Sequence, residues 1–148
     1  MKNYQKTTAT GESFSLLAND GIGVTVETIS ADTTLTAADS GKTLILSNAT
    51  GEVITLPAVA NISNGWNIKA KTGLAFATSD WTIVSATDVI EGYASVNYAT
   101  VAAVNENTIS FVATAETIGD WIEILFDGTS FIVYGVGNST GSITFTVA

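Results

Sequence analysis

The sequence of 148 residues contains no cysteine, no histidine and no arginine, and its only proline is Pro57. The absence of cysteine excludes a disulfide framework, a thiolate nucleophile and a cysteine-based metal site. The absence of histidine removes the side chain most often used as a general base and as a metal ligand. We therefore expect neither a metal nor a cofactor.

Positive charge is also scarce, because five lysines stand against 14 acidic residues and give a formal net charge of −9. Proteins that bind nucleic acids cluster basic residues against phosphates, and anionic membranes repel acidic chains. The composition therefore argues against both partners. No apolar run reaches the roughly 18 residues of a transmembrane helix. The N-terminus lacks the apolar segment of a signal peptide, which predicts folding in the cytoplasm of the cell that makes the protein.

What the sequence does contain is typical of β-structure. Hydrophobic residues make up 46% of the chain, charged residues only 13%, and about one residue in six is threonine. Apolar runs of four to eight residues alternate with turn residues at the spacing of a sandwich or barrel. We expect a single compact antiparallel β-sandwich or barrel, jelly-roll-like, over residues 23–148, preceded by an extended N-terminal arm over residues 1–22. The predicted strands are Gly23–Ile29, Thr43–Ser47, Glu52–Leu56, Trp66–Ala70, Trp81–Ser85, Thr108–Ala113, Trp121–Phe126, Phe131–Val136 and Ser142–Val147.

The segments between these runs suggest specific turns. Residues 43–57 predict a β-hairpin around the polar turn Asn48–Gly51. Asp127-Gly128, between two hydrophobic runs, predicts a tight hairpin because glycine accepts a positive φ. Residues 31–40 have room for one short helical turn. Residues 92–104 are less regular and predict a long connection or a strand pair near a surface.

Two predicted strands, Trp121–Phe126 and Phe131–Val136, are nearly continuous apolar runs rather than alternating ones. Such a run implies burial on both faces of the sheet, or burial of one face against a neighbouring chain. The low charge density of the whole chain also favours contacts between subunits over a solitary monomer.

The N-terminal arm is polar apart from one apolar patch. A frayed tail is the simplest interpretation. The functional interpretation is an arm that lays Phe14, Leu16 and Leu17 on a partner, while Lys2 and Lys6 meet an acidic surface.

Carboxylates are the only remaining candidates for catalysis. Asp80, Asp88 and Glu91 fall within twelve residues of one another, and paired acids can hydrolyse glycosides. Solvated loop acids explain the same pattern better, and no serine nucleophile has the residues of a catalytic relay. We expect no enzymatic activity, with a small glycosidase as the alternative.

Aromatic residues raise a further hypothesis. Trp66, Trp81 and Trp121 each open a predicted strand beside a polar loop, and Tyr93 and Tyr98 lie among small residues. Aromatic rings in such places can stack on sugars or anchor an interface. The structural alternative is that the tryptophans cap the ends of a β core.

Several short motifs, taken together, resemble a known family. They are Thr34–Thr43 (TLTAADSGKT), Val53–Pro57 (VITLP), Gly119–Trp121 (GDW), Leu125–Thr129 (LFDGT) and Val133–Gly135 (VYG). This series resembles the β-rich domain of tailed-bacteriophage virion surface proteins, namely capsid decoration (cement) proteins, head fibres and some tail fibres. The resemblance covers about residues 30–137.

The resemblance implies a homotrimer without catalytic residues that stands on a capsid or forms part of a fibre. A single β domain with a short arm fits a cement protein better than a long tail fibre. The implied partner is the major capsid protein, clamped by residues 1–22, and the implied location is the virion surface after synthesis in the cytoplasm of a host bacterium. The alternative is a fibre or receptor-binding module that holds a host surface glycan on Trp66, Trp81, Tyr93 and Tyr98.

Overall fold

The computed structural model describes residues 4–7, 13–16 and 24–147, and side chains within 24–147. Nearly all of its regular structure is β. Two single-turn 3₁₀ helices lie at Ala37–Asp39 and Val59–Asn61. The strands are β1 (Tyr4–Thr7), β2 (Ser13–Leu16), β3 (Thr25–Ile29), β4 (Thr33–Thr34), β5 (Lys42–Leu46), β6 (Val53–Thr55), β7 (Asn67–Thr72), β8 (Trp81–Val84), β9 (Ile90–Val96), β10 (Ala99–Glu106), β11 (Thr108–Phe111), β12 (Trp121–Phe126), β13 (Phe131–Gly137) and β14 (Ile143–Thr146).

Strands β3 to β14 form two sheets that pack as a sandwich. The seven-stranded sheet has the order β10-β9-β13-β12-β7-β5-β3, and the five-stranded sheet has the order β14-β11-β8-β6-β4. The prediction of a compact all-β sandwich is confirmed. The expectation of wholly antiparallel pairing is corrected, because both sheets are mixed: β9 with β13, β3 with β5, β5 with β7, β4 with β6, and β6 with β8 are parallel pairs.

The parallel pairs follow from the path of the chain. From β3 to β8, successive strands alternate between the seven-stranded and the five-stranded sheet, so each strand pairs with the one two places along. Parallel neighbours need a crossover connection, and here the strand in the opposite sheet is that crossover. The number of residues between two paired strands differs from one crossover to the next, since Thr25 pairs with Lys42 and Lys42 pairs with Ile68.

The predicted hairpin over residues 43–57 is therefore wrong in its pairing, although both of its strands exist. Strand β5 belongs to the seven-stranded sheet and β6 to the five-stranded sheet. The turn at Asn48–Gly51 carries the chain between the sheets, with the Asn48 side-chain oxygen accepting from the backbone N–H of Thr50. Gly51 has a φ of 67°, the left-handed conformation that glycine adopts at low cost.

The second turn prediction is confirmed. Strands β12 and β13 pair as an antiparallel hairpin in which Phe126 lies opposite Phe131. Gly128 has a φ of 101°, and the Asp127 carboxylate accepts from the backbone N–H groups of Thr129 and Ser130, both at 2.8 Å.

Residues 92–104 form a strand pair, the second of the two predicted alternatives. Strands β9 and β10 make an antiparallel hairpin at the edge of the seven-stranded sheet. Residues 31–40, which had room for one short helical turn, contain the 3₁₀ helix Ala37–Asp39, capped by the Thr36 side chain.

The core lies between the two sheets, where the inward residues of both are almost wholly buried. Strands β12 and β13 show the period of two expected of a sheet with one covered face: Ile122, Ile124 and Val133 are buried and the residues between them are more exposed. The largest fully buried side chains are Trp81, Phe76, Phe111, Phe131, Leu44, Leu46, Ile54, Ile68, Ile83, Ile90, Ile109 and Ile122.

Within the arm, β1 and β2 pair with each other in antiparallel register, with Lys6 opposite Phe14. Lys6, Phe14 and Leu16 lie on these strands, and Lys2 and Leu17 lie outside the described residues. The contacts of all five side chains are outside the described part of the chain. In the part that is described, no helix has both the length and the hydropathy needed to span a bilayer.

Candidate functional site

The outward surfaces of the two sheets differ in chemistry. On the five-stranded sheet, neighbouring strands present the outward row Val53, Thr82, Ser110 and Thr144. The adjacent row, Thr55, Val84, Thr108 and Thr146, is also rich in threonine. This surface is therefore mostly small and polar, and its β11 residues Thr108 and Ser110 are buried.

The seven-stranded sheet presents aromatic, aliphatic and charged residues instead, and we call this surface the outer face. Its middle row runs across the strands as Tyr93, Tyr134, Glu123, Lys69, Thr43 and Val26. The row on one side is Ser95, Val136, Trp121, Lys71, Ile45 and Thr28, and the row on the other side is Glu91, Ile132, Leu125 and Asn67.

The aromatic rings of the outer face contact one another. Tyr134 lies edge-to-face with Tyr93 on one side, with ring centroids 5.2 Å apart, and with Trp121 on the other, at 5.5 Å. The Lys69 ammonium lies 3.9 Å from the centroid of the Trp121 ring. Edge-to-face pairs and a cation over an indole are each favourable by about 0.5–1.5 kcal/mol. The rings are therefore held in place before any partner arrives.

These apolar side chains remain accessible to solvent within the single chain. Tyr93, Tyr134, Leu125 and Ile132 are between 40% and 48% exposed. The two apolar runs noted in the sequence are thus buried on one face only. At about 80 Å² each, the four side chains expose on the order of 300 Å², which reaches the size of patches that are often functional.

Charge on the outer face is balanced, unlike that of the whole chain. Its described ionisable groups are Lys69, Lys71, Glu91 and Glu123, two of each sign. Among residues 24–147, the only cation in an ion pair is Lys42, which lies 2.6 Å from Asp39 and 2.7 Å from Glu27. The lysines of the outer face and Glu123 therefore have no ionic partner among these residues.

The buried carboxylate of Asp120 holds one end of the outer face. Its Oδ1 accepts hydrogen bonds from the backbone N–H and the Nδ2 of Asn138, and its Oδ2 accepts one from the backbone N–H of Thr117. The loop before β12 is thereby tied to the loop after β13, beside Trp121. Asp120 lies in the GDW motif noted in the sequence, but the motif did not predict this structural role.

The five aromatic residues chosen from the sequence separate into three groups. Trp66 and Trp81 are core residues, and each indole N–H donates 3.0 Å to a loop carbonyl, that of Thr36 and that of Asn48. This burial removes both rings from the predicted sugar-stacking platform and agrees with the structural alternative of core caps. Tyr93 and Trp121 lie together on the outer face, joined by Tyr134, which sequence reasoning missed.

Tyr98 forms the third group, at the tip of the β9–β10 hairpin. Asn97 and Tyr98 have φ angles of 47° and 64°, as in a type I′ turn, where asparagine and glycine are preferred and tyrosine is strained by about 1–2 kcal/mol. The Tyr98 side chain is fully exposed. It borders a shallow cleft of about 130 Å³, lined also by Ser95, Asn97, Val136, Gly137 and Asn138.

The three carboxylates considered for glycoside hydrolysis each accept a hydrogen bond from a different loop or strand. Asp80 accepts from the backbone N–H of Ala113, Asp88 from the side chain of Asn107, and Glu91 from the backbone N–H of Asn105. Contacts of this kind organise loops. No group of three or more potential acidic metal ligands occurs in the described residues.

A different carboxylate pair, Asp32 and Glu52, has a perturbed environment. Partial desolvation raises the pKa of Glu52, and both the hydrogen bond and the repulsion from Asp32 act in the same direction. The other Asp32 contact is structural, because its Oδ1 accepts from the backbone N–H of Val53 at 2.8 Å.

Comparison of the whole chain with protein-family models, with curated proteins and with solved structures gives no match in any of the three.

Proposed function

We propose that this chain is a structural virion protein of a tailed bacteriophage, a capsid decoration (cement) protein that binds the outside of the assembled head and stabilises it. The observation that carries a structural role is the outer face, a broad, pre-ordered aromatic surface suited to contact with protein. The virion location rests on the sequence motifs that resemble phage surface proteins.

The proposed partners are the major capsid protein and further copies of the chain, in a homotrimer. Residues 1–22 attach to the shell through Phe14, Leu16 and Leu17, with Lys2 and Lys6 meeting acidic capsid surface. The β domain then stands outside the shell and ties neighbouring capsomers together. Its formal charge of −9 keeps decorated particles apart by repulsion.

Stabilisation follows from mass action. A protein that binds only the assembled shell stabilises it by the free energy of binding, about 1.4 kcal/mol for each tenfold of affinity. Many copies on one shell multiply a modest individual contribution.

Co-sedimentation with purified, undecorated phage shells tests this function. The full chain is compared with a chain lacking residues 1–22 and with the full-length variant Phe14→Ser/Leu16→Ser/Leu17→Ser. We expect the full chain to decorate shells, the truncated chain to stay in the supernatant, and the triple variant to bind at least tenfold more weakly. Failure of the full chain to bind any shell contradicts the capsid role.

Tyr98 favours one second candidate, a fibre or receptor module that binds a host surface glycan. An exposed aromatic ring beside asparagine and serine side chains offers a sugar both a stacking surface and hydrogen bonds. A glycan array probed with the parent chain, Tyr98→Phe and Tyr98→Ala tests it. Sugar binding that survives in Tyr98→Phe and disappears in Tyr98→Ala supports this role, and an array without signal contradicts it.

A further inference from the structure

The outer face divides into two unlike halves. The aromatic half consists of the outward residues of β9, β13 and β12, and it contains Tyr93, Tyr134, Trp121 and the carboxylates of Glu91 and Glu123. The lysine half consists of the outward residues of β7, β5 and β3, and it contains Lys69, Lys71, Asn67, Thr43, Ile45, Val26 and Thr28. Acidic groups are thus confined to one half and basic groups to the other.

We propose that the outer face is the surface through which copies of this chain associate, with the aromatic half of one copy packed against the lysine half of the next. This inference rests on the self-association in the proposed function, and it identifies the surface responsible. The closed ring of a homotrimer is one assembly that joins unlike halves, since a head-to-tail interface forms a ring when its rotation closes and an open filament when it does not.

Charge complementarity favours a second copy as the occupant. Glu91 and Glu123 of one copy meet Lys69 and Lys71 of another, and none of these four groups has an ionic partner among residues 24–147. The two halves together are neutral, so copies can approach face first although each chain carries −9. A strongly basic or strongly acidic partner gains attraction at one half and meets repulsion at the other.

Apolar complementarity acts in the same direction. Burial of the exposed Tyr93, Tyr134 and Leu125 side chains requires an apolar surface on the partner. The lysine half supplies Val26, which is 61% exposed, together with Ile45. The methylene stems of lysines also cover aromatic surface while their ammonium groups stay solvated. The rings are already ordered by edge-to-face contacts, so association costs little side-chain entropy.

The outer face has an apolar centre for such a contact. Seven strands spaced about 4.8 Å apart give a face roughly 29 Å wide, so each half is about 14 Å wide. The exposed aromatic and aliphatic side chains supply on the order of 300 Å² as the centre of the contact. The serine and threonine rows of the five-stranded sheet offer no comparable apolar centre.

The test is the mass of the purified full-length chain in solution at tens of micromolar, without shells, by light scattering coupled to gel filtration. Leu125→Lys places a third positive charge on the outer face, in the aromatic half, and Val53→Lys is its matched control on the five-stranded sheet, where Val53 is similarly exposed. We expect the parent and Val53→Lys to form one oligomer of defined size, and Leu125→Lys to be monomeric. Circular dichroism and thermal unfolding establish that each variant is folded.

A charge exchange tests the pairing of unlike halves. Glu123→Lys and Lys69→Glu each place like charges against each other between copies, so each variant alone should weaken association at least tenfold. The double variant Glu123→Lys/Lys69→Glu should associate more strongly than either single variant, because it exchanges one charge between the halves and restores opposite charges where these two residues meet. Folded single variants that keep the parent mass overturn the proposal.

The outcomes separate this inference from the proposed function. A monomeric parent, or an oligomer unaffected by Leu125→Lys, overturns the self-association surface whatever the chain does on shells. A parent that forms the oligomer through the outer face but binds no shell leaves the surface established and contradicts the capsid role. An oligomer of other than three copies contradicts the homotrimer alone.

Discussion

Replacing Asp120 by alanine should destabilise the domain more than replacing Asp88 or Asp127 by alanine. The side chain is fully buried and accepts three hydrogen bonds, at 2.9 Å from the Thr117 N–H and at 2.9 and 2.8 Å from the Asn138 N–H and Nδ2. A hydrogen bond to a charged group contributes about 1.5–3 kcal/mol, and removal of the acceptor leaves its donors without a partner. Allowing for non-additivity, we expect Asp120→Ala to cost about 3–5 kcal/mol.

Asp120→Asn separates the role of the hydrogen bonds from that of side-chain volume. The Oδ1 of the new asparagine can still accept from Asn138. Its NH₂ group faces the Thr117 N–H, and because both groups are donors that hydrogen bond is lost. We expect about half of the cost of the alanine variant. Asp88→Ala is the control, because Asp88 is exposed and accepts one hydrogen bond from Asn107.

Urea unfolding followed by tryptophan fluorescence measures these differences. With a slope of about 2 kcal/mol per molar urea, the Asp120→Ala midpoint should fall by roughly 2 M, and its melting temperature by about 10–15 °C. The control should stay within about 1 kcal/mol of the parent. An alanine variant as stable as the control would refute the stabilising role of the Asp120 cluster.

Three further predictions concern charge and backbone conformation. Glu52→Gln should stabilise the domain at pH 7 but not near pH 4. Desolvation and Asp32 raise the pKa of Glu52 in the folded state, so the folded carboxyl binds its proton more readily than the unfolded one. The stability of the parent therefore rises as pH falls through that pKa. Chemical unfolding at both pH values measures this, and lower stability of Glu52→Gln at pH 7 contradicts it. Asp127→Ala should show the opposite pH dependence, because backbone N–H groups of the turn lower the pKa of Asp127. The stability that Asp127 contributes is present above the unfolded pKa and is lost as pH falls through the folded pKa. A destabilisation by Asp127→Ala that is unchanged in acid refutes this. Gly92→Ala should destabilise the domain far more than Gly41→Ala in thermal melts. Both glycines have positive φ, but the new Cβ would lie 2.1 Å from a backbone oxygen at Gly92, whereas nothing lies within 4 Å at Gly41. Equal effects would mean that strain in φ alone determines the loss of stability.

Local patterns in the sequence predicted the strands well and their partners less well. All nine predicted strands are present within two residues at each end, because apolar runs bounded by turn residues report on burial directly. The β5–β6 hairpin was wrong because a short polar turn between two strands is equally compatible with a crossing from one sheet to the other. Strands β9 and β10 were not predicted outright, since glycine and alanine weaken their alternation.

The candidate site was predictable only in part. The continuous apolar runs predicted burial of both faces or of one face against a neighbouring chain; one face is buried within the chain, and contact with a neighbour stays a prediction. The sequence pattern indicated Tyr93 and Trp121. The pattern did not indicate Tyr134, because alternation in Phe131–Gly137 tells which residues share a face but not which face is the core. The grouping of Lys69 with Glu123 depends on β7 pairing with β12, a contact between distant parts of the chain. The role of the arm and its boundary at residue 22 stay predictions.

The alternation of β3 to β8 between the two sheets has a consequence for the order of folding. No two consecutive strands within residues 25–84 pair with each other, whereas β9–β10 and β12–β13 are hairpins. Local hairpins form within microseconds, and strands joined through long crossovers pair later. Strand β7 finds its second neighbour only in β12, so the seven-stranded sheet is completed only after residues 121–126 have been synthesised.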